Sequence, residues 1–288
     1  MIREVIEKYL FPPALYCIAC GAIIDNTREY MLCDDCMKEL KWNTGATCRT
    51  CGKPLGPAIS SALTAGLFND SRDAELLRKE GNTTSMSSRV PNIARYCHNC
   101  MQSHHYFDRG YSCLSYGGRE KTPILALKHA EKGYIARALG EMLADRLLAA
   151  VASDGELPWD VLVPVPIHPS RRVARGYNQT ELIADEVSRI LGIPTDKTSL
   201  IRVRATEKMK GMTDEGRQKN IEGAFAISAD AERSEFLRNK RVLLIDDVYT
   251  TGATADACSK ALLSAGANSV EIATIATGAN FRSEAIGY

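Results

Sequence analysis

The chain has no excess of charge of either sign. Of its 288 residues 36 are Lys or Arg and 35 are Asp or Glu, for a net charge of +1. That balance excludes a global polycation of the kind that coats nucleic acid, so any such contact has to come from local patches. Long apolar runs are missing too. No stretch reaches the length of a membrane-spanning helix, and residues 1–10 are charged and amphipathic, without the apolar centre of a secretory leader. The expectation is a cytoplasmic protein with no membrane insertion. A disulfide framework is also lacking, although cysteine is plentiful. Eight of the 10 cysteines fall into four Cys-x-x-Cys pairs, which in a chain without a leader points to thiolate metal ligands in a reducing compartment.

The pairs are Cys17/Cys20, Cys33/Cys36, Cys48/Cys51 and Cys97/Cys100. Two intervening residues allow a tight knuckle that turns both sulfurs toward one tetrahedral ion, and four thiolates around Zn²⁺ make a closed structural site. Glycine follows the first and third pairs (Gly21, Gly52) but not the second and fourth. This alternation suggests one unit used twice. It joins Cys17/Cys20 to Cys33/Cys36 and Cys48/Cys51 to Cys97/Cys100, for two structural zinc ions. A cross-braced or nested pairing has the same spacing, and an iron–sulfur cluster takes the same ligands. His98, His104 and His105 read as exposed polar residues, since the thiolates already complete both sites. Cys113 and Cys258 sit in apolar contexts and read as small buried hydrophobes. Between the third and fourth pairs lies the insertion 53–96, whose centre, Gly81-Asn82-Thr83-Thr84-Ser85-Met86-Ser87-Ser88, has the composition of a flexible loop.

After Phe107 the texture becomes alternating strand and helix. Strands are predicted at 109–116, 160–166, 200–203, 242–245 and 270–276, and helices at 122–130, 135–151, 179–191 and 255–263. The segment 204–217, rich in charge and without periodicity, reads as a mobile loop. Strands alternating with helices imply an α/β fold with a parallel sheet. The expected division is a metal-binding module over 1–107 and an α/β domain over 108–288.

The most informative stretch is Val242-Leu243-Leu244-Ile245-Asp246-Asp247-Val248-Tyr249-Thr250-Thr251-Gly252-Ala253-Thr254. A short β-branched apolar run suits a strand buried on both faces. Two carboxylates follow it, then a loop of hydroxylated residues and one glycine that opens a helix. Ligands of open α/β sheets bind beyond the carboxyl ends of the strands, and a helix N-terminus gathers phosphate through free N–H groups. Thr250, Thr251, Gly252, Ala253 and Thr254 therefore read as a phosphate cup, and Asp246 and Asp247 as partners for vicinal hydroxyls or a hydrated Mg²⁺. This calls for a phosphorylated sugar. A receiver domain also carries an acid pair after an apolar strand, but there the pair opens the domain, whereas here it comes near the end.

A second chemical feature runs from Pro164 to Gln179 as Pro-Val-Pro-Ile-His-Pro-Ser-Arg-Arg-Val-Ala-Arg-Gly-Tyr-Asn-Gln. It too lies between a strand and a helix. Guanidinium forks match phosphate oxygens, so Arg171, Arg172 and Arg175 suit a diphosphate. With the Asp-Asp-Thr-Thr-Gly element they would bracket a single ligand.

The acid pair and Thr-Thr-Gly loop resemble the PRPP-binding signature of type I phosphoribosyltransferases. Other motifs narrow the likeness: the tandem knuckles, Phe107-Asp108-Arg109, Leu127-Lys128, Arg-Gly-Tyr-Asn-Gln at 175–179, and Arg217, Asn220 and Gly223-Ala224-Phe225. Together they are similar to the ComF family, in which a double zinc ribbon precedes a type I phosphoribosyltransferase-like parallel sheet. The resemblance implies a role in natural competence and DNA uptake, with PRPP and Mg²⁺ as ligands and single-stranded DNA or a DNA-uptake helicase as partner. It further implies that Asp246 and Asp247 hold the ribose and the 250–254 loop the 5-phosphate. Arg171, Arg172 and Arg175 would stabilise departing diphosphate, and Lys208, with Lys210, would close over the site. Basic residues on the ribbons (Lys38, Lys41, Arg49, Lys53) are the expected nucleic-acid contacts. The other function class is an active phosphoribosyltransferase of nucleotide or cofactor salvage with no direct DNA role. The 53–96 insertion departs from a compact ribbon.

Overall fold

A computed structural model of the chain describes residues 15–55, 96–129, 132–152, 156–206, 213–230 and 235–278. Most of the insertion at 53–96, and with it the loop reading of residues 81–88, lies outside them, as do Lys208 and Lys210. The strands are β1 (Arg109–Tyr116), β2 (Val161–Pro164), β3 (Leu200–Arg202), β4 (Phe225–Ile227), β5 (Arg241–Tyr249) and β6 (Ser269–Gly278). Four of them form a parallel sheet in the order β1-β6-β5-β2, while β3 and β4 make a separate antiparallel pair. The helices are α1 (Asp34–Glu39), α2 (His98–Gln102), α3 (Lys121–Ala126), α4 (Ile135–Val151), α5 (Pro169–Arg175), α6 (Gln179–Leu191), α7 (Asp214–Ile221) and α8 (Ala253–Ser264).

The central strand explains the sheet. Side chains of β5 alternate between faces, as the pleat requires. Leu243 and Ile245 join one core with α4 and α6, and Val242 and Leu244 join the other with Cys258 and Leu262 of α8. Burial on both faces is why the run reads as continuously apolar rather than alternating. On α4, Leu139, Leu143 and Leu147 are fully buried, each contributing roughly 1.5–3 kcal/mol of apolar burial. Gly140 lets α6 approach closely, because a Cβ there would fall 2.5 Å from Glu186 Cβ. Asn178 caps α6, its side chain accepting from the Thr180 N–H, and Gly192 ends it in the left-handed region at φ 72.

Several boundaries differ from the sequence expectation. Strand β5 runs on past Ile245 through both acids to Tyr249, because pairing with β6 continues at Asp246↔Thr274 and Tyr249↔Thr277. Asp246 and Asp247 thus lie within the last ladder positions and not beyond the strand. The helix expected at 122–130 stops at Ala126. Within 204–217, Thr213 starts a helix instead of a loop, its hydroxyl accepting from Gly216 N–H at 3.1 Å. Two short elements, α5 and β4, lack enough residues for a period to show.

The knuckles pack into the sheet's two cores. Ile18, Leu32 and Leu40 belong to the α4 face, whereas Cys48, Cys51, Cys97 and Phe107 belong to the α8 face. Between them, residues 41–43 run antiparallel along the free edge of β1, with Asn43 N–H donating to Cys113 O at 2.8 Å and Ser115 N–H to Lys41 O at 2.9 Å. The exposed edge is thereby closed. Cys113 and Cys258 are buried as expected, and burial pushes the Cys113 thiol up to about 12.

Candidate functional site

Two groups of four sulfurs stand together, Cys17/Cys20/Cys33/Cys36 and Cys48/Cys51/Cys97/Cys100, all ligand atoms in each within 4.8 Å of one another. Tetrahedral Zn–S bonds of about 2.3 Å place sulfurs about 3.8 Å apart. The Cys20–Cys33 and Cys51–Cys97 sulfur separations, both 3.6 Å, match that geometry. Both clusters suit structural zinc, and the nested and cross-braced pairings are ruled out. Gly21 and Gly52 adopt φ 77 and φ 70, the left-handed turn that closes a knuckle.

The acid pair sits at the carboxyl end of the sheet. Asp247 donates its backbone N–H to Asp246 Oδ1 at 2.8 Å, and its Oδ2 meets Lys128 Nζ at 2.9 Å. Burial, and then the charge of Asp247, pushes the Asp246 carboxyl up to about 8. Residues 250–252 turn the chain, and Gly252, at φ 92, caps α8 with its C=O accepting from Asp256 N–H at 2.8 Å. The first amides of α8 are left free for an anion, as at any helix start.

On the neighbouring strand, Val165 N–H bonds Ile245 O at 2.9 Å, which sets the start of the arginine segment beside the acids. Its shape has a structural cause: the Tyr177 hydroxyl lies 2.7 Å from both Leu127 O and His129 O and shares its one proton between them, clamping the backbone on either side of Lys128. Thr180 Oγ1 and Asn178 Nδ2 both bond Val165 O. The three arginines are each engaged by a group of the protein itself. Arg171 donates to Thr206 O at 3.1 Å, Arg172 pairs with Glu181 at 2.6 Å, and Arg175 donates to Gln179 Oε1 at 2.9 Å. A ligand would have to exchange these contacts for its own.

Comparison with known proteins bears on this arrangement. The double zinc ribbon domain family matches residues 6–66, and the phosphoribosyl transferase domain family matches residues 180–284. The chain is 30% identical over 177 residues to DNA utilization protein YhgH of Salmonella typhimurium, covering 61% of this chain and 75% of that protein. The chain belongs to the competence protein F family. Competence protein F of Haemophilus influenzae is 28% identical over 185 residues, covering 64% of this chain and 80% of that protein. Competence protein ComFC of Bacillus subtilis is 31% identical over a shorter stretch of 106 residues, 37% of this chain and 39% of that protein. The fold is accordingly a phosphoribosyltransferase-like parallel sheet with a double zinc ribbon.

Within this family member the structure adds three residues to those the sequence singled out. Lys128 was visible only as part of a motif, and its place on Asp247 needed the long-range fold. Arg202, on β3, stacks on Phe225 with its guanidinium 5.1 Å from the ring centre and bonds Thr206 Oγ1. Burial and then the charge of Arg171 hold its pKa below the usual arginine range, while Asp246 acts the other way. His105 is not an exposed residue; its side chain is 5% exposed and contacts Asp256. His98 and His104 are exposed as expected. Lys53 is also not free for a nucleic acid, since it is buried with Nζ 5.6 Å from the centre of the Tyr249 ring.

Proposed function

We propose that this competence protein F relative binds PRPP with Mg²⁺ at the carboxyl end of β5 and serves DNA uptake. The carrying observation is the acid pair beside a hydroxyl-rich loop that opens α8, with Lys128 against Asp247. The free amides and the hydroxyls of Thr250, Thr251 and Thr254 take the 5-phosphate, Asp246 and Asp247 take the ribose hydroxyls, and Lys128 is released to meet ligand phosphate. Mg²⁺ fits the same acids, because they offer oxygen donors at a site where Asp246 already resists ionising alone. When bound it would neutralise phosphate charge. Arg171, Arg172 and Arg175 are assigned to the diphosphate end, and Lys208 to closure over it.

The division of labour follows the boundaries 1–107 and 108–288. The sheet edge takes the small phosphorylated ligand, and the ribbon takes the macromolecular partner, single-stranded DNA or the helicase that handles it. Lys38, Lys41 and Arg49 are exposed on the ribbons and suit phosphate contacts. The names of the relatives, competence and DNA utilization proteins, support a role in DNA uptake.

Calorimetry with PRPP, with and without Mg²⁺, tests the small-ligand half. Binding should need Mg²⁺ and should be lost in the Asp246→Asn, Asp247→Asn double variant; unchanged affinity there would refute the site. For the DNA half, reversing Lys38 and Lys41 to Glu should weaken single-stranded DNA binding and flatten its salt dependence.

A further inference from the structure

The wall behind the 250–254 loop is made of ribbon, and one side chain joins the two. His105 lies between the second cysteine cluster and the first turn of α8. Its Nδ1 is 2.9 Å from Asp256 Oδ2 and its Nε2 is 3.4 Å from Cys100 Sγ. The other carboxylate oxygen, Asp256 Oδ1, accepts from the Tyr106 backbone N–H at 2.9 Å. Asp256 is therefore gripped from the chain that follows the last knuckle. Stacking on Phe107, with centroids 4.8 Å apart, fixes the plane of the imidazole. Gly252 packs on the same ring: a Cβ there would fall 3.1 Å from His105 Cε1 and 2.6 Å from the Tyr249 hydroxyl. Phe107 and Tyr249 meet edge-on at 6.1 Å.

We propose that His105 is a positioning residue that ties the second cysteine cluster to the phosphate loop, so that the metal state of the ribbon sets how tightly the loop holds its ligand. The inference rests on reading 250–254 as the phosphate cup. A cup made of backbone amides binds well only when those amides are held in place before the ligand arrives, because ordering them on binding costs affinity. Here the holding group is Asp256, four residues after Gly252, and His105 is what anchors Asp256 to Cys100. Groups bonded to a metal-binding thiolate orient it in turn. Coupling of this kind is reciprocal, so a ligand in the cup must also act on the cluster.

The test uses the full chain with cobalt(II) in place of zinc, whose visible bands report the geometry of a thiolate site, together with PRPP·Mg²⁺ calorimetry. In the unsubstituted protein, saturating PRPP should shift the cobalt bands. In His105→Ala, carrying both metal equivalents by elemental analysis, the bands should stay still and PRPP affinity should fall about tenfold, within the usual range for coupled sites. His105→Gln, which keeps a hydrogen-bonding group in the gap, should recover part of that loss. Cobalt bands unmoved by PRPP in the unsubstituted protein would overturn the link, and so would equal PRPP affinity in His105→Ala. If the unsubstituted protein binds no PRPP by calorimetry, the reading of the cup falls first and the inference falls with it. Should His105→Ala lose metal or fail to fold, the comparison passes to His105→Gln: PRPP affinity there equal to that of the unsubstituted protein would overturn the role of His105.

Discussion

Asp246 is where residue-level physics and the proposed function meet most directly. Its carboxyl is pushed up to about 8 by burial and then by the neighbouring Asp247 charge. The folded state consequently keeps a proton that the unfolded chain, with an ordinary pKa of about 3.9, releases much earlier. This group's stabilising contribution is complete below that unfolded value and is lost as pH rises toward about 8. Asp246→Asn has no proton to lose. Its melting temperature should exceed that of the unsubstituted protein at pH 8, and the gap should close by pH 4; an equal gap at both values would count against a raised pKa. Lys128 works in the opposite direction by sitting 2.9 Å from Asp247 Oδ2. Lys128→Met should leave the Asp pair without its counter-charge and weaken PRPP binding by roughly tenfold or more, as loss of a partly buried charged partner does. Calorimetry at fixed Mg²⁺ would show it.

At the scale of elements, what the sequence revealed and what it hid separate by range. The helices at 135–151 and 179–191 match α4 and α6 to the residue, because a long apolar stripe and capping residues such as Asn178 and Gly192 are local signals. The knuckle pairing was legible for the same reason, through the glycines that close two of the four turns. Partnerships such as Tyr177 with the carbonyls around Lys128, or His105 with Asp256, join residues far apart in the chain and leave no periodicity. Close docking of elements is equally silent in a sequence. Gly110, at the start of β1, is one such place: a Cβ there would lie 2.7 Å from the Cys51 carbonyl carbon and 2.9 Å from its oxygen. The contact is with backbone, so no side chain can move aside. Gly110→Ala should cost about 1–3 kcal/mol through overpacking. Because it pushes on the third knuckle, it should also speed release of one zinc to a chelator, while the other is released as before.

For the whole molecule, the ribbons and the sheet share their cores even where the sequence suggests separate modules. The first cluster packs with α4 and the second with α8, on opposite faces of the four strands. Metal binding at such sites is folding free energy, because the deprotonated ligands are gathered only in the folded chain. Chelation should therefore loosen both faces of the sheet. The expected observation is one cooperative thermal transition, followed by circular dichroism of the sheet and helices, that shifts down by on the order of 10 °C when zinc is removed, a size that corresponds to a few kcal/mol for a chain of this class. Two resolved transitions, the upper one indifferent to the chelator, would mean that the sheet stands by itself. PRPP added to the zinc-loaded protein should raise the same single transition by mass action. That rise should shrink after the metal is removed, because the phosphate loop leans on the second cluster through His105, Phe107 and Tyr249.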